Sequence, residues 1–334
     1  MLTISEFTDF VRNAKIYWID SYKSVLQIAR TSGLFKTITI PENTGNTREF
    51  SEAELEEYAS RKAENAQSEM ADVTQGYTKI GKLYRISKDI EISWEMKHQG
   101  KYQEIVNKLT SIGRLCPNRI ELDLTHRLTF GTAESYIDKD GVTVDTTVGD
   151  NLSLFNTAHT LKNSSDTFRN RLAANLQFSQ ASLEKMEEMW TENCKNHKGE
   201  KMSMRANILW CGDDPKTLND MKSVLRSTSN VTQSNPSVIN NYTGSYKLVS
   251  LPLLATTAAG HVDADKKKYW GIASSMASSA YFGIMEAPRL KVPPTPSNNA
   301  TEFTTDKMIF GSRATYLIVI VSANWIAMSS GDNA

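Results

Sequence analysis

Apolar residues at Tyr102, Ile105, Val106, Leu109, Ile112 and Leu115 follow the i, i+3, i+4, i+7 spacing of one helix face. Lys101, Glu104, Asn107, Lys108 and Arg114 fill the positions between them. Beyond Pro117 the apolar residues resume at Ile120, Leu124 and Leu128, each four apart. Pro117 has no N–H to donate and disfavours helical backbone at Cys116, so the pattern predicts a kink there, or an end and a restart. Stacked end to end, the two halves of 101–130 make a beam roughly 45 Å long at about 1.5 Å per residue. Periodicity alone describes the long core helix of an α+β protein.

Upstream, Thr3 and Glu6 have capping-box spacing, and Phe7, Phe10, Val11, Ala14, Tyr17, Trp18, Val25 and Ile28 trace an apolar stripe. That aromatic-rich helix serves either core packing or an arm docked on a neighbouring subunit, and the pattern leaves both open. Gly33 ends it, and 34–40 alternates as a strand does. Residues 41–72 are polar and acidic, too poor in large apolar groups to form a core layer. The Ser51 to Glu54 spacing there predicts a solvated helix over 52–67. Extended structure returns at 78–80 and 82–93, so 34–93 reads as a long two-stranded projection with a charged insert. An isolated hairpin is marginal in water, so this one must lie on something else.

Downstream, Asp140-Gly141 predicts a hairpin turn between 136–137 and 142–144. Residues 152–163 are short and irregular. A helix follows over 178–194, with Ser179 as N-cap and Leu183, Met186, Met189 and Trp190 on one face. Residues 206–211 form a short buried strand. Asp214 then caps a helix with Pro215 at its first position and Leu218, Met221, Val224 and Leu225 as its stripe. The segment 227–245 is a long polar loop. Strands are predicted at 246–253, 268–273, 281–286, 302–313 and 316–328, with a Pro-rich connector at 292–299. Residues 316–321 are apolar on both alternating faces, as in a central strand.

With 334 residues, 40% of them hydrophobic, the chain can bury a sizeable core and divide into two domains. Lys plus Arg balances Asp plus Glu at 38 each. Zero net charge excludes a task dominated by gripping nucleic-acid phosphates and removes one barrier to self-association. Cys116, Cys194 and Cys211 are odd in number and lack CxxC spacing, which predicts buried reduced thiols rather than a disulfide framework or zinc knuckle. Residues 1–10 show no secretory signal, and the longest apolar run, 316–321, is far short of the roughly 20 residues of a membrane span. The expectation is a soluble protein made in the cytoplasm, with no membrane partner.

Few residues carry a chemical signature. His98, His126, His159, His197 and His261 include no HxxxH or HExxH pair. His126 sits three residues after Asp123, which predicts a local side-chain pair. His159 has no local Cys or carboxylate companion, and reads as a hydrogen-bonded structural histidine. Cys211 ends a strand just before a helix, where a thiolate could be stabilised, yet Ile208 and Trp210 suggest burial. GxGxxG, GxxxxGK[ST] and GxSxG are all absent. Gly212-Asp213-Asp214-Pro215 is acidic and would repel phosphate. Lys266-Lys267-Lys268, beside Asp263 and Asp265, reads as a solvated turn. No catalytic, cofactor-binding or metal-ligating residue is predicted, and no cofactor. A hydrolase using His159 or Cys211 would need a pocket bringing a second His or a carboxylate within hydrogen-bond reach.

The order of elements is an N-terminal arm, a projecting hairpin, one very long helix, a compact α/β region and returning strands. That succession resembles the major capsid protein of tailed bacteriophages, the Hong Kong 97-type α+β fold, most sharply the Mu-like head subunit family. YTKIGKLYRISKDIEISWEMKHQGKYQEIVNKLTSIGR is similar to the family's second hairpin strand, where Ile92-Ser93-Trp94-Glu95-Met96 leads into the long helix. Leu154, Phe155 and His159 match an LF-x-x-x-H stretch. MRANILWCGDDPKTLNDMKSVLRS resembles the family's strand and Pro-started helix, and YKLVSLPLLATT with KKKYWGIASS its paired strands. Together these cover most of 76–275, while 41–72 is more acidic than a plain hairpin tip. The resemblance implies an arm at 1–33, an extended loop at 34–93 lying over the adjacent subunit, and a peripheral domain of 94–144 with 276–334. It also implies an axial domain at 145–275 whose polar loop 227–245 faces the capsomer axis. The implied role is a non-enzymatic shell subunit forming pentamers and hexamers of an icosahedral virion. Its partners would be further copies of itself, scaffolding, portal and decoration proteins, and DNA held without sequence-specific contacts. No Lys–Asn–Glu crosslinking trio can be fixed, and scaffolding is expected to be separate or already removed. An encapsulin-like nanocompartment shares the fold and is the nearest rival.

Overall fold

The computed structural model describes residues 4–42, 45–54, 58–68, 70, 74–93, 95–96, 99, 101–227, 239–293 and 307–332. Helices α1 (Ile4–Lys23) and α2 (Ile28–Thr31) come first, then strands β1 (Lys36–Thr39), β2 (Thr47–Glu54), β3 (Thr74–Lys82) and β4 (Tyr84–Ser93). Helix α3 (Tyr102–Thr129) leads to β5 (Ser135–Ile137), β6 (Thr143–Asp145), β7 (His159–Thr160) and β8 (Thr167–Phe168). Helix α4 (Gln180–Asn193), β9 (Ile208–Cys211), helix α5 (Pro215–Arg226) and strands β10 (Lys247–Ser250) and β11 (Trp270–Ala273) follow. Strands β12 (Ala280–Lys291), β13 (Lys307–Ile320) and β14 (Ile326–Ser329) close the chain.

The long helix is one 28-residue element, with Pro117 inside it. Its buried positions Ile112, Cys116, Ile120, Leu124 and Leu128 are spaced by four. Each step of four turns the stripe by about 40° around a helix of 3.6 residues per turn. The N-terminal half therefore places Ile105 and Leu109 against Ala14, Ile92, Met308 and Phe310, while the C-terminal half enters the largest core with Phe282, Tyr316 and Ile318. An interior proline costs about 3 kcal/mol. Burying Ile120, Leu124 and Leu128 returns about 1.5–3 kcal/mol apiece, so packing holds the helix through the break that Pro117 predicts.

Two four-stranded sheets lie on either side of that core. One has the order β1-β12-β13-β4, with β1 parallel to β12 and the other pairs antiparallel. The other has the order β10-β9-β11-β14, with only β10 and β9 parallel. Ile208, Trp210 and Met328 of this second sheet enter the shared core, while Leu209, Cys211, Trp270 and Ala327 meet Met186, Met189, Met221 and Leu225 of α4 and α5. Both faces of β9 are covered, which is why ILWC is apolar throughout. Ser179 caps α4 in a capping box with Ser182, and Asp214 caps α5 through the Thr217 N–H with Pro215 in the first turn.

Several expectations change. The helix expected over 52–67 is absent: β2 runs to Glu54, and the described residues of 58–68 are not helical. Pairing of Thr47–Ser51 with Thr78–Lys82 and stacking of Phe50 on Tyr281 outweigh a local capping pattern there. The two-stranded projection is β2 with β3 only. Strand β4 hydrogen-bonds along β13 from Tyr84 to Ser93, and β1 lies on β12, so both ends of 34–93 belong to the first sheet. Strand β13 runs unbroken through residues 314–315, between two stretches expected to be separate. Strand β14 pairs with β11, so 276–334 contributes to both sheets. The capping residue Thr3, most of the 227–245 loop and most of the Pro-rich connector lie outside the described residues.

Candidate assembly surfaces

The residues singled out for chemistry are buried in roles of support. His159 is fully buried, its Nδ1 donating to Asp150 at 2.8 Å and its Nε2 facing the Leu154 carbonyl at 3.2 Å. Its ring stacks on Phe168 at 4.9 Å. Burial pushes the Asp150 carboxyl up, but the bond from His159, its charge, and the Leu152 and Thr160 N–H groups outweigh this and leave it below its ordinary value. A carboxylate does therefore reach His159, across nine residues of irregular chain. The cavity that both line, together with His197, has a volume of about 10 Å³, which is room for about one water. A substrate has no place there.

Cys211 is fully buried, and desolvation, then Asp213 and Asp214, push its thiol up to about 12, the opposite of an activated nucleophile. Cys116 and Cys194 are buried as well. His126 does not pair with Asp123. Its Nε2 lies 2.9 Å from Thr256 Oγ1, while Asp123 accepts from Arg119 and from the Tyr316 hydroxyl. Lys266 bonds Asp263 at 3.1 Å and caps the Phe130 ring at 3.9 Å, so its turn is less solvated than expected. His261 is exposed, and His98 lies outside the described residues. Among the described residues no group of three His, Cys, Asp or Glu could hold a metal ion, and no helix is long and apolar enough to cross a membrane.

The motif residues Leu154, Phe155 and His159 form one buried cluster. Phe155 stacks on Trp210 at 6.0 Å and fills the space over Gly131, where an added Cβ would fall 2.7 Å from its ring. This turn fastens the end of the long helix to the second sheet.

On α1, Ala14, Trp18 and Ser21 face inward: the Trp18 Nε1–H donates to Ser312 Oγ at 3.3 Å, and Ser21 Oγ donates to the Thr110 carbonyl. Gly113 lets the two helices touch, since a Cβ there would lie 2.7 Å from the Trp18 carbonyl oxygen. The opposite face presents Ile16, Tyr17 and Ile19, which are 49%, 40% and 41% exposed. The inner face is packed in the core, and the outer face leaves three large apolar side chains partly in solvent. Glu121 of α3 ties the next turn down by accepting from the Ala29 and Arg30 N–H groups.

The β2–β3 projection lies along its own chain. Lys79 bonds Asp145 at 2.6 Å, Lys162 donates to the Gly76 carbonyl at 2.7 Å, His197 Nε2 meets Glu52 at 2.8 Å, and the Tyr77 hydroxyl meets Thr160 Oγ1 at 2.9 Å. Those contacts are polar, between residues 66 to 145 apart in sequence. A one-dimensional pattern carries no signal for them, beyond the need of a hairpin to rest on something.

No family model matches the chain, and no curated protein matches it. Among solved structures it is similar to the capsid of cyanophage P-SCSP1u, at 9% identity over 88% of this chain and 85% of that one, with a TM-score of 0.49. It is similar to the mature capsid of bacteriophage PhiM1, at 12% identity over 89% and 85%, with a TM-score of 0.48. It is also similar to a virus-like particle from Pyrococcus furiosus, at 11% identity over 95% and 97%, with a TM-score of 0.47.

Proposed function

We propose that this chain is a structural shell subunit of the Hong Kong 97-type fold, a major capsid protein that self-assembles into pentamers and hexamers around a phage genome. The observation that carries the reading is the 28-residue α3, preceded by an arm helix and a projecting hairpin and packed between two sheets that share its core. Within that fold, the Ile92-to-Met96 and Leu154-to-His159 motifs point to the Mu-like head subunits. The domain assignment follows the resemblance: an arm to residue 33, an extended loop from 34, a peripheral unit around α3 and β13, and an axial unit around β9–β11. Such a subunit makes many modest contacts that together hold a lattice. It meets DNA as a neutral wall, with scaffolding, portal and decoration proteins as further partners, and resides in the virion. Support for a non-catalytic role comes from His159 and Cys211, which are fully buried, with no substrate-sized space at His159.

Electron microscopy of the purified protein, with its sedimentation profile, tests the reading. Closed icosahedral particles or five- and six-fold rings are the expected result, and DNA rather than enzyme cargo in particles from the native source separates a phage head from an encapsulin-like compartment. A clean monomer or dimer at high concentration, with scaffold supplied, would overturn it.

A further inference from the structure

Among the described residues, Arg127 of α3 is a buried cation with no carboxylate oxygen within 4 Å. Asp123 and Arg127 stand four apart, the spacing of a helical ion pair. Asp123 instead bonds Arg119 at 2.9 Å and the Tyr316 hydroxyl. Arg119 also takes Asp138 at 2.6 Å and Asp140 at 2.8 Å. Asp145, the nearest carboxylate on β6, is engaged by Lys79 and the Thr147 hydroxyl. Arg127 is 7% exposed, and among the described residues its one hydrogen bond is from Nη1 to the Asp145 backbone carbonyl. Its Nε is shut from solvent with no partner. The Asp123 carboxylate acts on Arg127 only from beyond hydrogen-bond reach, because its oxygens are taken by Arg119 and Tyr316, and a buried guanidinium so weakly paired is costly.

Arg127 lines a cavity of about 210 Å³ between β3, β6 and β13. The other charged residues around it are Lys79, Lys82 and Asp145, so three cations face one carboxylate. Thr143 also lines it, and Lys82 is exposed at the end of β3. A larger open cleft holds Arg85, Arg289 and Arg313, but there Glu286 lies within ion-pair distance of both Arg289 and Arg313. We infer that the cavity at Arg127 is a binding site for a small oxyanion of the phosphate or sulfate class, which supplies the direct anionic contact that the Asp123 and Asp145 carboxylates do not make. Because two of its cations sit on β3 and the third on α3, the bound anion fastens the projecting hairpin to the body of the subunit.

Calorimetric titration of the full chain with inorganic phosphate, against chloride at matched ionic strength, tests this. Saturable binding of one phosphate per chain is expected, with slower hydrogen exchange of the 75–82 amides at saturation. Lys82→Gln should weaken binding at least about tenfold, the value of one charge-assisted hydrogen bond. Arg127→Gln should abolish it, and Arg85→Gln in the neighbouring cleft should leave it unchanged. Lys82 is exposed, so its variant keeps the test open if Arg127→Gln fails to fold. Phosphate binding no better than chloride, or unchanged affinity in Lys82→Gln, would overturn the assignment. Saturation by a DNA duplex but not by inorganic phosphate would overturn it too, since the site would then read a nucleic-acid backbone.

Discussion

His126 near the end of α3 packs edge-on with Phe130, just past the helix, and with Tyr136 of β5. Burial, then the Lys266 and Arg119 charges, pull its pKa down to about 4. The unfolded value is higher, near 6.5, so between about 4 and 6.5 the unfolded chain binds the proton more readily. Stability contributed by the neutral ring is complete above that window and is lost as pH falls through it, by about 2–3 kcal/mol at pH 4.5. Urea unfolding at pH 7 and 4.5 should show this drop, and His126→Gln, which keeps a polar group for Thr256, should remove most of it. An equal drop in the variant would place the proton elsewhere. Gly271 makes a steric prediction at the same scale. A Cβ there would lie 2.0 Å from the Ala327 carbonyl oxygen and 2.7 Å from the Trp210 ring, so neither backbone nor ring can yield cheaply. Gly271→Ala should destabilise by at least about 1–3 kcal/mol in thermal unfolding. Gly141→Asn is the matched control: its φ of +77° suits Asn, nothing lies within 4 Å, and stability should hardly move.

The β2–β3 hairpin is an element held by side chains rather than by a core of its own. Its Lys79–Asp145 ion pair is partly solvated and is worth about 1 kcal/mol or less, and Glu52 adds a hydrogen bond accepted from His197 Nε2. Lys79→Met combined with Glu52→Gln should therefore speed amide exchange of 75–82 several-fold while leaving 316–320 unchanged. Equal protection in the double variant would show that apolar contacts such as Phe50 on Tyr281 hold the hairpin. The same element marks where the chain's pattern stops being readable. Spacing is enough for the two halves of α3 (though not for their continuity through Pro117, which packing decides), for the β9–turn–α5 unit with Asp214 and Pro215, for the Ser179 cap and for the Asp140-Gly141 turn, because each is decided within about a dozen residues. Strand β4 was legible as extended, but not as a partner of β13, since that pairing joins residues more than 200 apart. Over 52–54 the capping spacing is local, while the strand pairing that overrides it is not. Of the candidate site residues, burial of Cys211 followed from Ile208 and Trp210 beside it. The Asp150–His159 bond had no such signal, because an irregular loop places both groups. Arg127 escaped notice for the opposite reason: its helical partner Asp123 is in place, and Tyr316, 193 residues from Asp123, shares it with Arg119.

At the scale of the whole molecule, a chain of zero net charge has little electrostatic repulsion to hold copies apart, so its outward apolar groups set the terms of association. Helix α1 concentrates them. Its inner face is committed through Trp18, Ala14 and the close approach at Gly113, which fixes the direction in which Ile16, Tyr17 and Ile19 point. Fully covering one such side chain contributes about 1.5–3 kcal/mol relative to leaving it in water, and these three are already about half covered, so one contact yields a few kcal/mol. That is too weak to hold a dimer at low concentration, but in the shell proposed above the contact would be repeated, and a subunit would have to break several at once to leave. Replacing Ile16, Tyr17 and Ile19 together with Ser should leave the unfolding transition of the isolated subunit within about 1–2 kcal/mol of the parent, since none of the three is in the core. It should abolish rings and closed particles in sedimentation and electron microscopy under conditions where the parent assembles. The paired control is Trp18→Ala, which strikes the inner face and should cost about 3–5 kcal/mol of subunit stability. If the triple variant assembles as the parent does, the outer face of α1 is not an interface, and lattice contacts must be sought on the hairpin and the sheet edges instead.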